Sequence, residues 1–210
     1  MDHALARAEM VANQLVPRGI TDPAVLEAVA TVERHRFIPA SNRDLSYRDG
    51  PVAIGSGQTI SQPYLVALMS QTLLVKSGMN VLEIGSGSGY QAAILAALGA
   101  DVCSIEIRPP LVELSRQNLA ETQTRSVTVE MADGHHGWPR RAPFDRVIVT
   151  AAPETIPSDL LDQLRPGGRM VIPVGPRHRQ RLLLVEKALD GTTRTSDLLD
   201  VLFVPMTPKG

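Results

Sequence analysis

From residue 79 onward, short apolar runs alternate with segments of helical period, and this alternation constrains the fold more than any other property of the sequence. The apolar runs are VLEI (81–84), DVCSIE (101–106), VTVEM (127–131), RVIVTAA (146–152) and RMVIPV (169–174), with helices expected at 90–98, 110–121 and 158–164. Runs this short and this continuously apolar are buried on both faces, which requires parallel strands covered by crossover helices. The expected fold class is therefore α/β, a doubly wound and mostly parallel sheet. After Gly175, RLLLVEK and LLDVLFVPM show no helical period and are joined by a short glycine-containing link. They are expected to form an antiparallel strand pair closing one edge.

The first 78 residues read differently. Residues 4–16 and 22–33 place apolar positions at helical spacing, the second segment opening with Thr21 or Asp22 as cap and Pro23 in its first turn. Residues 37–62 are rich in Gly, Pro, Ser and Asp, too irregular for a helix and too long for an idle connection, so function is expected there. A further helix is expected from Pro63 to Lys76, with Leu65, Leu68, Met69 and Thr72 on one side. The expected organisation is one domain over 1–210: helices and a substrate loop (1–78), a cofactor-binding core (79–175) and the strand pair (176–210).

Charge and cysteine usage narrow the function. Lys and Arg number 21 against 22 acidic residues, which leaves no broad field for a polyanion, and nucleic acid is not an expected partner. Cys103 is the single cysteine, so no internal disulfide can form, and no Cys/His spacing suggests a metal site. MDHALARAEMVANQLV scatters charge where a signal peptide needs an unbroken apolar stretch, and no later segment is apolar enough to span a bilayer. A cytoplasmic protein without membrane contact is expected.

In open α/β sheets, ligands lie beyond the carboxyl ends of the strands. VLEIGSGSGY puts Gly85, Gly87 and Gly89 directly after the first core strand, where the missing side chains permit a sharp turn and close backbone approach. A dinucleotide fingerprint is G-x-G-x-x-G, but here the third glycine comes one residue early and Tyr90 stands in its place. This argues against NAD and toward the E-x-G-x-G-x-G loop of methyltransferases. An acid at Glu83 would repel a pyrophosphate and suit a sulfonium and an ammonium. Glu106 ends the second strand, 21 positions after Gly85, where a carboxylate can accept from both hydroxyls of a ribose. Asp133 and Gly134 follow the third strand, where an adenine would lie; Asp133 either accepts from its exocyclic amine or belongs to an ordinary Asp-Gly turn.

At this point the residues resemble the protein-L-isoaspartate O-methyltransferase family over nearly the whole chain. The most specific part is IGSGQTISQPYLVALM (54–69), similar to the family's signature loop and following helix; RHRFIP (34–39), VLEIGSGSGYQAAILA, PFDRVIVTAA (143–152), GGRMVIPVG and FVPM follow in family order. The resemblance implies a Rossmann-like methyltransferase fold. It also implies an S-adenosyl-L-methionine site built from Glu83, Gly85, Gly87, Gly89, Glu106, Asp133 and Gly134, with Thr207 touching the cofactor from the C-terminal segment. Gln58, Thr59 and Ser61 are implied as substrate contacts, Ser61 being the active-site hydroxyl. Leu202 stands where bacterial members often carry arginine. The implied substrates are isoaspartyl-containing proteins and peptides, whose methyl ester then collapses to a succinimide unaided.

Some residues also have ordinary explanations. Read by pattern alone, Ser61 is the cap of the helix opening at Pro63. His135 and His136 read as solvent-exposed loop residues, His35 as structural or as a contact for an acidic peptide, and Trp138 as packing. A carboxylate substrate is already ionised at neutral pH, so no general base is needed, which fits the lack of any triad pattern. An isoaspartyl residue differs from aspartate by one methylene moved into the main chain, so recognition must read backbone geometry; the loop at 55–61 is expected to pair with an extended peptide. A monomer is expected. Competing readings are a methyltransferase acting on a small molecule or a dedicated biosynthetic peptide, an NAD-dependent oxidoreductase, and a non-catalytic cofactor-binding regulator.

Overall fold

The computed structural model describes residues 2–207. Helix α1 (His3–Met10) is capped by Asp2, whose side chain accepts from the amides of Ala4 and Leu5. It continues through a π-helical turn (Val11–Leu15) and a 3-10 turn (Val16–Arg18) that stops at Gly19, where φ is 86°. Helix α2 (Pro23–Thr31) takes Asp22, not Thr21, as its cap. The irregular stretch that follows holds two 3-10 turns (Arg34–Phe37 and Ala40–Leu45) and an antiparallel hairpin, β1 (Val52–Gly55) with β2 (Gln58–Ile60). Helix α3 (Pro63–Leu73) ends three residues before the expected Lys76, because Leu74 turns left-handed at φ 51°.

The remaining chain supplies β3 (Asn80–Ile84), α4 (Tyr90–Ala97), β4 (Asp101–Glu106), α5 (Pro109–Glu121), β5 (Val127–Met131), β6 (Phe144–Val149), α6 (Ser158–Gln163), β7 (Leu164–Val174), β8 (Gln180–Lys187) and β9 (Thr193–Val201). The sheet order is β5-β4-β3-β6-β7-β8-β9, parallel from β5 through β7 and antiparallel for β8 and β9. This is the doubly wound α/β fold the apolar runs demand. Successive side chains of β3 enter opposite cores, Val81 the layer with α2 to α5, Leu82 and Ile84 the layer with Trp138, Phe144 and Leu160. No helix among the described residues is long and apolar enough to cross a membrane.

The C-terminal strand differs from the sequence expectation. LLDVLFVPM does not run on as one strand, because β9 ends at Val201 and the chain leaves the sheet. The buried amide of Gln180 causes the departure: its Oε1 accepts from the Phe203 amide (2.6 Å) and its Nε2 donates to the Phe203 carbonyl (3.1 Å). The chain then docks on the segment after β6, where the Ala152 amide donates to the Val204 carbonyl and the Met206 amide to the Ala152 carbonyl, both at 2.8 Å. The strand order reverses between β3 and β6, so the crevice for a ligand opens at their carboxyl ends, and this docked segment forms one of its walls.

Candidate active site

The turn after β3 is built on positive backbone angles: φ is 95° at Gly85, 53° at Gly87 and 89° at Gly89. A Cβ on Gly85 would sit 2.4 Å from Thr150 Oγ1, and one on Gly89 3.2 Å from Leu119 Cγ, so the third glycine allows α4 to start against α5. Two further ties hold the turn. The Gly85 carbonyl accepts from Thr150 Oγ1 at 2.7 Å, and the Gly87 amide donates to Glu106 Oε2 at 3.0 Å.

Glu106, at the end of β4, also accepts the amides of Ile107 (2.9 Å) and Arg108 (3.0 Å) through Oε1. Three of about four lone-pair directions are thereby used, which leaves acceptor capacity on a residue that lines the crevice. That crevice is lined by Gly85, Gly87, Glu106 and Gly134, by the apolar side chains of Ile105, Ile107 and Leu111, by Gln58 and Thr59 from the hairpin, and by Val204 to Thr207. Gly134 is there for space: a Cβ would lie 2.4 Å from Ile84 Cγ2.

Glu83 sits elsewhere than its expected contact with a sulfonium would require. Opposite Ser104 in the β3–β4 ladder, it lies fully buried beneath the glycine turn; Ser104 Oγ donates to it and is itself bonded to Ser86 Oγ. Burial pushes its pKa up to about 8 against the opposing Ser104 hydrogen bond, so at neutral pH the side chain is mainly an uncharged acid bracing the turn. Asp133 likewise does not line the crevice, though its neighbours Ala132 and Gly134 do; its Oδ1 accepts from the amide of His135 (2.9 Å) and meets His135 Nδ1 at 2.8 Å.

A second cavity, of about 760 Å³, adjoins the first. Thr59, Ser61, Gln62 and Tyr64 form one side, Leu202 and Phe203 another, and Arg18 and Arg177 stand at its wall. Arg18 is held by Asp49 at 3.0 Å and lies over the Tyr64 ring at 3.5 Å from its centroid. Thr59, Thr150, Val204 and Pro205 line both cavities, so the two meet across that shared wall. Ser61 does not cap α3. The cap position belongs to Gln62, which makes no side-chain cap bond, and the Ser61 carbonyl is gripped by Arg34 Nη2 at 2.8 Å.

The remaining expectations divide. His136 is exposed and bonds Asp159 at 2.8 Å, which raises its pKa. His135 is half-buried against Asp133, not solvent-exposed as expected, because Asp133 starts the 3-10 turn that carries it. His35 stacks on His3 at 4.0 Å and meets the Tyr47 hydroxyl at 2.8 Å, a structural position. Trp138 packs in the second core. No cluster of three or more His, Cys, Asp or Glu fit for a metal exists among the described residues. Thr150 and Arg34 were not singled out from sequence. Thr150 follows a strand at the reversal point, a position that marks it; Arg34 opens the RHRFIP motif, but its bond to the Ser61 carbonyl, 27 residues on, leaves no local signal.

The arrangement fits an adenosyl cofactor. A carboxylate with free lone-pair capacity, an apolar slot beside it and a glycine turn whose backbone lines the crevice match ribose hydroxyls, a purine face and a closely approaching chain.

Comparison with known proteins gives a consistent picture. The family model for protein-L-isoaspartate(D-aspartate) O-methyltransferase matches residues 6–210. A protein-L-isoaspartate O-methyltransferase of Opitutus terrae is 49% identical over 201 residues, covering 96% of this chain and 86% of the relative. One from Gloeobacter violaceus is 48% identical over 198 residues, covering 94% and 97%. A solved protein-L-isoaspartate O-methyltransferase superposes with a TM-score of 0.88 at 27% identity, covering 97% of this chain and 66% of the other. A Plasmodium falciparum structure described as the same kind of enzyme, in complex with S-adenosyl-L-homocysteine, gives 0.85 at 26% identity, covering 97% and 99%.

Proposed function

The chain belongs to the protein-L-isoaspartate(D-aspartate) O-methyltransferase family, and from that premise we propose that it methylates the free α-carboxylate of L-isoaspartyl residues in damaged proteins and peptides, using S-adenosyl-L-methionine. The observation that carries this reading is the pair of adjoining cavities: one suits an adenosyl group, the other is wide enough for a peptide segment, and Thr59 and Thr150 lie between them.

The cofactor, when bound, supplies an activated methyl group. Glu106 would accept from the ribose hydroxyls, Gly85 and Gly87 would pass beside the amino-acid chain, Gly134 would line the purine end, and Thr207 would reach the cofactor from the docked segment. Glu83 braces the turn from below, and Asp133 sets the purine-side turn through His135. On the peptide side, Thr59 presents the hairpin and the Ser61 hydroxyl would hold one carboxylate oxygen so that the other faces the methyl group, while Gln58, expected at the substrate, lines the cofactor crevice instead. A carboxylate is ionised at neutral pH and is itself the nucleophile, so the residues act by alignment and exclusion of water. The buried, unpaired thiol of Cys103 accords with a cytoplasmic enzyme, and exposed large apolar side chains scattered over separate elements accord with a monomer.

The test is methyl transfer from labelled cofactor to matched isoaspartyl and aspartyl peptides. Label should enter the isoaspartyl peptide and not its aspartyl partner; equal labelling, or none, would overturn the proposal.

A further inference from the structure

The guanidinium of Arg34 takes no part in the chemistry above, yet it is among the most costly groups in the molecule to bury. It is fully buried; Nε donates to the Ser46 carbonyl and Nη2 to the Ser61 carbonyl, each at 2.8 Å. Its Cζ lies 4.9 Å from the centroid of the Tyr90 ring. No carboxylate forms an ion pair with it among the described residues, and Nη1 has no hydrogen-bond partner. Burial lowers its pKa to about 10, opposed mainly by the phenols of Tyr90 and Tyr47. A buried cation without an anionic partner carries a desolvation cost that two carbonyls and a ring face offset only in part.

What the contacts join is specific. Ser46 follows the 3-10 turn Ala40–Leu45, Ser61 lies between β2 and α3 on the peptide cavity, and Tyr90 opens α4 directly after Gly89. One rigid, planar side chain thus ties the residue that faces the peptide to the helix that carries the glycine turn. A guanidinium suits this because its donors are fixed in a plane, whereas a lysine offers a single rotating head. We infer that Arg34 is a positioning residue for methyl transfer: by holding the Ser61 carbonyl it sets the direction of the Ser61 hydroxyl relative to the cofactor turn. The inference rests on the role proposed for Ser61.

Arg34→Met and Arg34→Lys should be compared with the parent for isoaspartyl-peptide kcat and KM, S-adenosylmethionine Kd by calorimetry, and melting temperature, with assays run well below the lowest Tm. Arg34→Met should lower kcat/KM about tenfold or more, mainly in kcat because alignment is what is lost, with the cofactor Kd held within about threefold. Arg34→Lys should recover part of the loss. A Met variant that only melts earlier, or loses cofactor and peptide in equal measure, or is no worse than Lys, overturns the inference. Should the Met variant not fold, the Lys variant decides: reduced kcat with unchanged cofactor affinity supports the role, and parental kinetics refute it. Failure of the parent itself to methylate the isoaspartyl peptide would instead remove the functional reading beneath.

Discussion

Single residues in this site separate roles that a sequence pattern merges. Ser61 makes no helix cap, so Ser61→Ala should leave the melting temperature nearly unchanged while kcat/KM for the isoaspartyl peptide falls about tenfold to hundredfold, the value of a hydrogen bond to a charged group. Melting and methylation measured on one preparation decide it; a variant that methylates like the parent rules the hydroxyl out. Glu83 gives a pH signature. Its pKa in the folded chain, about 8, lies above the ordinary 4.5, so between those values the folded state holds a proton that the unfolded state has released. Stability contributed by this group therefore declines as pH rises through that window. Glu83→Gln removes the titration, and the stability of the variant relative to the parent should rise from about pH 5 to about pH 8. Unfolding curves at both pH values check this, and a gap that stays constant would mean that Glu83 is not held as a neutral acid.

The glycine turn and the hairpin carry the next scale, and they show what kind of information a sequence holds. Gly85 and Gly57 both adopt positive φ, 95° and 69°, but only Gly85 has a neighbour where its Cβ would go. Gly57→Ala should cost about 1–2 kcal/mol in backbone strain and leave cofactor binding intact. Gly85→Ala should abolish the rise in Tm that the cofactor produces; if both variants keep that rise, the turn is not the cofactor's seat. The core strands and the glycine turn were legible in sequence because continuous apolar runs and glycine spacing are local signals. Glu106 was legible because its place at a strand end follows from topology. The β1–β2 hairpin was not: strands of four and three residues around a glycine-rich turn are too short to show a period. The end of β9 and the grip on Ser61 were also hidden, since Gln180 meets Phe203 and Arg34 meets Ser61 across 23 and 27 residues of chain. Glu83 was read from its position in the motif, but a sequence does not reveal that its carboxyl turns under the loop toward Ser104.

At the scale of the whole molecule, the proposed reaction uses no proton acceptor, so kcat with saturating isoaspartyl peptide should be flat from about pH 6 to about pH 7.5. A decline above that range is expected as Glu83 loses its proton and the braced turn loosens. A rise with a midpoint near 7 when methyl transfer is rate-limiting would reveal a base in the site. The wall shared by the two cavities has a consequence for inhibition. Because Thr59 and Thr150 border both spaces, a single compound joining an adenosyl group to an isoaspartyl mimic through a short nitrogen-centred bridge should occupy both at once. Its second half would bind as though at a very high local concentration, and its affinity should exceed that of either half alone by about 10² to 10⁴. Competition titrations against each half measure the gain, and a linked compound no tighter than its better half would mean that the two chambers do not communicate.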